Sequence, residues 1–385
     1  MNTTAQALRS QLDRYYGFLK QDQSNPNLRG EVADLHLRLG EFAEAHKVLE
    51  EALARWPDDA GLKSRLATVA IAQNKPAEAI ELLQALRQTG ADHPAVRYNL
   101  AYAMMLTERY AEAKELLLTT LGFARDVPQA ALLLARALHH LGEMDEAIKH
   151  AKSYVTAHPD DPEGHGVLAL LGLDSEDEAL AKDAGENALK SDPNNLYALI
   201  TMGTLALAEQ NGEQATGFFD RAVERHPKSG RAWSGKGLTS MLAMDLNRAL
   251  EDLQRAVQYM PTHIGTWHSL AWCQILLNDL NGAQESFNTA MAIDRNFGET
   301  HGGLAVVAIM QNRLDEAPDM IRRALRLNPQ SFAGRFAQSL LVNRTDPKKA
   351  QEMIQKILSS SIEPGGEALT DVLRRVSMKR NTRQS

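Results

Sequence analysis

One spacing constrains this chain more than any other: alanine returns every 34 residues. It stands at Ala45, Ala79, Ala113, Ala147, Ala181, Ala215, Ala249, Ala283 and Ala317, without insertion or deletion. A fixed period of this size means one small unit stacked on copies of itself. In blocks of 34 that start at Pro26, Ala60, Pro94, Pro128, Pro162, Leu196, Gly230, Ile264 and Gly298, that alanine is the twentieth place. The eighth place is small in all nine: Ala33, Ala67, Ala101, Ala135, Ala169, Gly203, Gly237, Ala271 and Ala305. Small groups at fixed places let helix axes approach closely. Proline closes six blocks, at Pro57, Pro159, Pro193, Pro227, Pro261 and Pro329.

The block Pro128–Asp161 shows the unit. Leu134, Ala135 and Leu138 fall on one stripe of a first helix. A turn follows at Leu141–Gly142–Glu143. Asp145 and Glu146 open a second helix, where the backbone's positive end favours them. Pro159 ends it, because proline cannot continue the hydrogen-bond ladder.

The period and its small–small–proline places resemble the tetratricopeptide repeat (TPR) family. Trp233 and Trp267 occupy that family's first-helix tryptophan place, whereas Arg29, Lys63 and Arg97 stand there in the first three blocks. The resemblance implies an all-α fold, a right-handed superhelical α-solenoid of stacked helix-turn-helix repeats. Residues 1–25 then hold an N-terminal capping helix, and 26–331 nine consecutive repeats. Residues 332–358 form a degenerate tenth repeat, one residue short at its turn. Residues 359–385 hold a linker, an amphipathic helix from Glu367 to Met378 and a basic tail expected to be disordered. Block five, Pro162 to Asn195, carries Gly164, Gly166, Gly172 and Gly185 and is expected to be the softest part, with a hinge near it.

The 385 residues carry a net charge of −7, which speaks against a nucleic-acid surface. A lone cysteine, Cys273, cannot make an internal disulfide, and nothing points to an oxidising compartment. No signal-peptide core opens the chain. The most apolar run, Leu196 to Ala208, falls short of the roughly 20 residues a membrane span needs. A cytoplasmic protein with no membrane span is expected.

No catalytic constellation is legible. Gly230-Arg-Ala-Trp-Ser-Gly235-Lys236 fits the letters of a phosphate-binding loop, but it opens a repeat helix and Gly237 replaces the metal-binding hydroxyl. The acidic run Asp174–Glu178 reads as capping of a helix by Asp174 or Ser175. His139 and His140 are adjacent and point apart; His268 and His301 fall at similar places in successive blocks. Neither pair makes a metal site by itself. No enzyme, metal or cofactor is expected.

The informative surface is the first-helix stripe opposite the packing stripe, at places 2, 5, 9 and 12. The resemblance puts these places on an inner, concave face. In blocks three to nine, eleven of the fourteen residues at places 9 and 12 are apolar, where a solvated helix would be polar. Candidate partner-binding residues are Tyr98, Tyr102, Met105, Leu132, Arg136, His139, Ile200, Leu238, Met241, His268, Trp272, Ile275, Val306 and Phe336. The basic clamp of chaperone-binding relatives and the asparagine ladder of sugar-transferring relatives are both absent. An apolar strip suits an amphipathic or extended hydrophobic segment of another protein. In this the chain resembles TPR chaperones of bacterial secretion systems. The alternatives are a self-assembling homo-oligomer, whose strip packs on a copy of itself, and an accessory arm for a separate enzyme. Tight winding that buries the strip between successive helices is the competing structural reading.

Overall fold

The computed structural model describes residues 3–123 and 127–359. The stretch Glu367–Met378, with the tail beyond it, lies outside the described residues. Among the described residues are 21 α-helices, one 3-10 turn and no strand. They fall into two compact units, Met1–Ser191 and Asp192–Ser385.

The first unit opens with α1 (Thr3–Gln21). Five helix pairs follow: α2 (Pro26–Arg38) with α3 (Phe42–Leu53), α4 (Ala60–Ala72) with α5 (Pro76–Gln88), α6 (Pro94–Leu106) with α7 (Tyr110–Thr120), α8 (Ala130–His140) with α9 (Met144–Ala157), and α10 (Pro162–Asp174) with α11 (Glu178–Ser191). Leu8 and Leu12 of α1 pack on Val32 and Leu35 of α2, so α1 covers the end of this stack. The second unit also has five pairs: α12 (Leu196–Ala208) with α13 (Gly212–Arg225), α14 (Gly230–Leu242) with α15 (Leu246–Tyr259), α16 (Ile264–Leu276) with α17 (Leu280–Ile293), α18 (Gly298–Met310) with α19 (Ala317–Leu327), and α20 (Phe332–Val342) with α21 (Pro347–Ser359). The boundary between the units follows α11, at the end of the glycine-rich fifth block.

All nine of the period-defining alanines are fully buried. The close approach they permit is visible in α10 and α11. A methyl group on Gly172 would lie 2.6 Å from the amide nitrogen of Ala181. Gly164 of block five serves close packing as well: a methyl on it would lie 2.8 Å from the ring of Tyr154.

The turn between the two helices of a pair is the same nine times over. Its αL residue is Gly40, Asn74, Glu108, Gly142, Glu176, Gln210, Met244, Asn278 or Asn312, with φ between 57° and 76°. The next amide reaches back to the carbonyl five residues earlier, as Glu143 to Leu138 and Asp245 to Ser240, both at 2.9 Å. This is the Schellman closure, which satisfies carbonyls the helix end leaves over. Two of the nine positions are glycine; the other seven hold side chains in a conformation that L-residues adopt at a cost.

Helix starts are capped where the sequence offers a short acceptor. Asn25, Asp59, Asn195, Ser229 and Ser331 accept the amide three residues on at the first helices. Asn211, Asp245 and Asp279 do so at α13, α15 and α17. In the acidic run, the cap of α11 is Asp177, which accepts from the Leu180 amide at 3.0 Å. That corrects the expectation for Asp174 and Ser175. Asp174 instead pairs with His139 at 3.0 Å, and the Ser175 hydroxyl donates back to the Gly172 carbonyl.

Candidate partner-binding face

The predicted strip lies on the first helices, and each unit carries its own portion. Neighbouring first helices within a unit touch: α4 with α6, α6 with α8, α8 with α10, and α12, α14, α16, α18 and α20 in turn. That contact decides which strip residues stay accessible.

In the first unit Tyr98, Tyr102, Arg136 and His139 are half-buried. Met105 and Leu132 are buried, at 8% and 5% exposure. They do not face an open groove, because α6, α8 and α10 close over them. Burial pushes the Tyr98 phenol up; nearby Tyr102 and Glu163 add to this and Arg136 opposes it. His139 is held by Asp174, and the neighbouring His140 stacks flat on Tyr110 with ring centres 4.3 Å apart. This portion is aromatic and polar.

In the second unit Ile200 and Val306 are buried, a second correction of the open-groove expectation. Val306 packs with Ile309 and Ala337 beneath Phe336 and Leu340, because α18 and α20 are in close contact. A methyl on Gly302 would lie 2.3 Å from the Gly334 amide nitrogen. Met241, His268, Trp272, Ile275 and Phe336 are half-buried, and Leu238 is exposed. Trp272 sits in a ring cluster. Its neighbours are Phe287 at 6.1 Å, Phe332 at 6.2 Å and Phe336 at 6.3 Å between ring centres. Gly302 of the intervening α18 lets α20 come close, and Gly303 leaves room for the Phe287 ring. His268 sits edge-on to Phe287 and Phe297 and shares a hydrogen bond with the Thr300 hydroxyl at 2.8 Å. Burial pulls its pKa down to about 4.

A further exposed row lies at place 13, outside the stripe that helical spacing marks at places 2, 5, 9 and 12. Place 13 ends the first helix in each of the nine regular blocks, one turn beyond place 9. There Leu242, Leu276 and Met310 are 38%, 52% and 42% exposed. Leu238 lies one turn before Leu242, and Met244, 56% exposed, lies just past it in the turn. The signal was available: blocks seven, eight and nine all end their first helix on a large apolar residue. In the first unit only Leu106, of block three, repeats the pattern.

The other chemical candidates resolve as packing. A methyl on Gly235 would meet the Phe219 ring at 2.2 Å, and Lys236 pairs with Asp220 at 2.8 Å and lies over Trp233. Cys273 is buried, its thiol pushed up by that burial and donating to the Leu246 carbonyl. His301 meets the Arg295 carbonyl rather than His268. Among the described residues no group of three or more histidine, cysteine or acidic side chains is placed to hold a metal, and no helix is long and apolar enough to cross a membrane.

Stacked antiparallel helix pairs with a 34-residue repeat and a recurring Schellman turn define an α-solenoid. Tetratricopeptide-repeat models match residues 36–96 and 70–131, 128–171, 200–261 and 264–297. The chain belongs to the tetratricopeptide-repeat family, whose arrays act as protein-interaction scaffolds. No curated protein matches it in sequence. Among solved structures, the human IFIT1 dimer with m7Gppp-AAAA is similar over 87% of this chain and 90% of its own, with 15% identity and a TM-score of 0.53. A monomeric mutant of IFIT1 with Gppp-AAAA is similar over 86% of this chain and 90% of its own, with 15% identity and a TM-score of 0.54. Likeness at that identity is likeness of fold.

Proposed function

We propose that this protein is a non-catalytic scaffold or chaperone that holds an apolar or amphipathic segment of another protein against the first helices of its second unit. One observation carries the reading. Leu238, Leu242, Leu276 and Met310 are exposed on consecutive first helices, beside half-buried Met241, Trp272 and Ile275. A contiguous apolar surface rimmed by polar groups marks an interaction site. Methionine adapts to varied apolar shapes, which suits a chaperone or adaptor in a secretion or assembly system. A protein segment is favoured over a nucleic acid by the net charge of −7 and by the acidic residues beside the row. The lone buried thiol suits a reducing compartment such as the cytoplasm.

The test is fluorescence anisotropy with labelled apolar peptides and with polar peptides of equal length and charge. The reading expects the apolar set to bind, and Leu276→Ser to weaken it by about tenfold. Equal binding of both sets, or indifference to Leu276→Ser and Leu242→Ser, defeats it. A labelled single-stranded oligonucleotide that binds and is displaced by the apolar peptides also defeats it.

A further inference from the structure

We infer that the apolar row of the second unit takes a basic amphipathic α-helix whose apolar residues recur every seven positions. This rests on the interaction reading above and narrows it to one partner chemistry.

The geometry of the row sets the spacing. Leu242, Leu276 and Met310 end α14, α16 and α18, three first helices that touch in sequence. Packed helices lie about 8–10 Å apart, so the row offers one apolar group about every 10 Å. An α-helix rises about 1.5 Å per residue and returns to the same face every two turns, after about 10.5 Å and seven residues. A helix laid across α14, α16 and α18 therefore presents one apolar side chain to each. An extended strand covers about 10 Å in three residues, and three is odd. Its contacts would alternate between its two faces, so every second one would point away from the row. The spacing selects a helix over a strand.

The rim sets the sign of charge. Asp245 and Asp279 lie three residues past Leu242 and Leu276; each caps the next helix through Oδ1 and is still exposed, and Asp315, five past Met310, is exposed too. The nearby cations are engaged. Arg313 bonds Gln284, Gln311 and Glu316, and Arg248 faces Asp220. A helix seated on the row with its flanks over this rim gains from lysine or arginine there, and an acidic flank is repelled.

The test uses three labelled peptides of equal length with the full chain. The first has leucine at every seventh position with lysine on both flanks. The second has the same composition with leucine at every third position. The third replaces the lysines by glutamate. The first should bind at least about tenfold more tightly than the other two and become helical by circular dichroism on binding. Leu276→Ser should abolish its advantage over the second peptide; Asp245→Asn with Asp279→Asn should shrink its advantage over the third. If all three bind alike, the inference falls and the interaction reading stands. If none binds, both fall. A concentration-dependent dimer that Leu276→Ser abolishes would make a second copy the occupant. Tighter binding of all three peptides to Leu373→Ser would make the chain's own C-terminal stretch the occupant. Either result overturns the inference.

Discussion

The ring of Phe219 fills the space that a side chain at Gly235 would need: a methyl there would lie 2.2 Å from it. The same pairing recurs 68 residues on, where Phe287 fills the space beside Gly303 at 2.3 Å. Phe219 and Phe287 hold the twenty-fourth place of their blocks, and the glycines hold the sixth place of the block that follows. Size at one place is matched by absence at the other. A glycine inside a helix, unfavourable by propensity, is thereby explained without a ligand.

Gly235→Ala is expected to destabilise the protein, by up to about 2 kcal/mol. Alanine gains about 1 kcal/mol of helix propensity. Overpacking against a fully buried ring costs about 1–3 kcal/mol and wins. Phe219→Leu in the Gly235→Ala background should recover part of the loss, a coupling that a double-mutant cycle measures. Gly217 is the control, with nothing within 4 Å of its would-be methyl. Gly217→Ala should stabilise by up to about 1 kcal/mol. Urea melts showing the same sign for Gly235→Ala and Gly217→Ala would refute the pairing.

Much of the fold was legible in the sequence because small residues cannot be varied where helices cross. Ala45 through Ala317 fixed the helix pairs and their turns, and Pro57 and its equivalents the second-helix ends. The recurrent αL position was legible at Gly40 and Gly142 and, less sharply, at Asn74, Asn278 and Asn312. Elsewhere Glu108, Gln210 and Met244 occupy it, and those residue types announce no such conformation. The site was less legible for a different reason. Helical periodicity says which way a side chain points from its own helix and nothing about the next helix. So Met105, Leu132, Ile200 and Val306 read as open and are buried, while Leu242, Leu276 and Met310 were overlooked at helix ends and are exposed.

Met244 offers a gain in stability. Its φ of 60° costs a side-chain-bearing residue about 1–2 kcal/mol. Glycine removes that strain and adds about 0.5–1 kcal/mol of backbone entropy loss. Met244 is 56% exposed, so little packing is lost. Met244→Gly should raise stability by roughly 0.5–1 kcal/mol net. A lowered melting temperature would contradict the reading of this turn as strained.

His268 predicts a response to acid. Burial lowers its pKa from 6.5 to about 4, so the folded state binds fewer protons than the unfolded state between those values. Stability contributed by neutral His268 is intact above pH 6.5 and is lost as pH falls toward 4. The melting temperature should drop over that window, and His268→Asn should flatten the drop. An unchanged pH profile in that variant would assign the acid sensitivity to carboxylates instead.

Trp272 and Leu276 lie one helical turn apart on α16 and should separate stability from binding. Trp272 is half-buried, with three phenylalanine rings around it that join α16, α17 and α20. Removing it leaves a hole beside fully buried Phe287 and half-buried Phe332 and Phe336, and Trp272→Ala should cost roughly 2–3 kcal/mol. Leu276 is 52% exposed and supports no such cluster. Leu276→Ser should stay within about 0.5 kcal/mol of the parent in melts. For an apolar peptide the order reverses in meaning: Leu276→Ser should weaken binding by about tenfold with the fold intact, whereas any loss in Trp272→Ala must first be corrected for unfolding. Melts and anisotropy titrations on both variants check this together. A stable Trp272→Ala that no longer binds would return the contact to the ring cluster. An unstable Leu276→Ser would mean the row is packed against something within the chain, and the partner surface would have to be sought elsewhere.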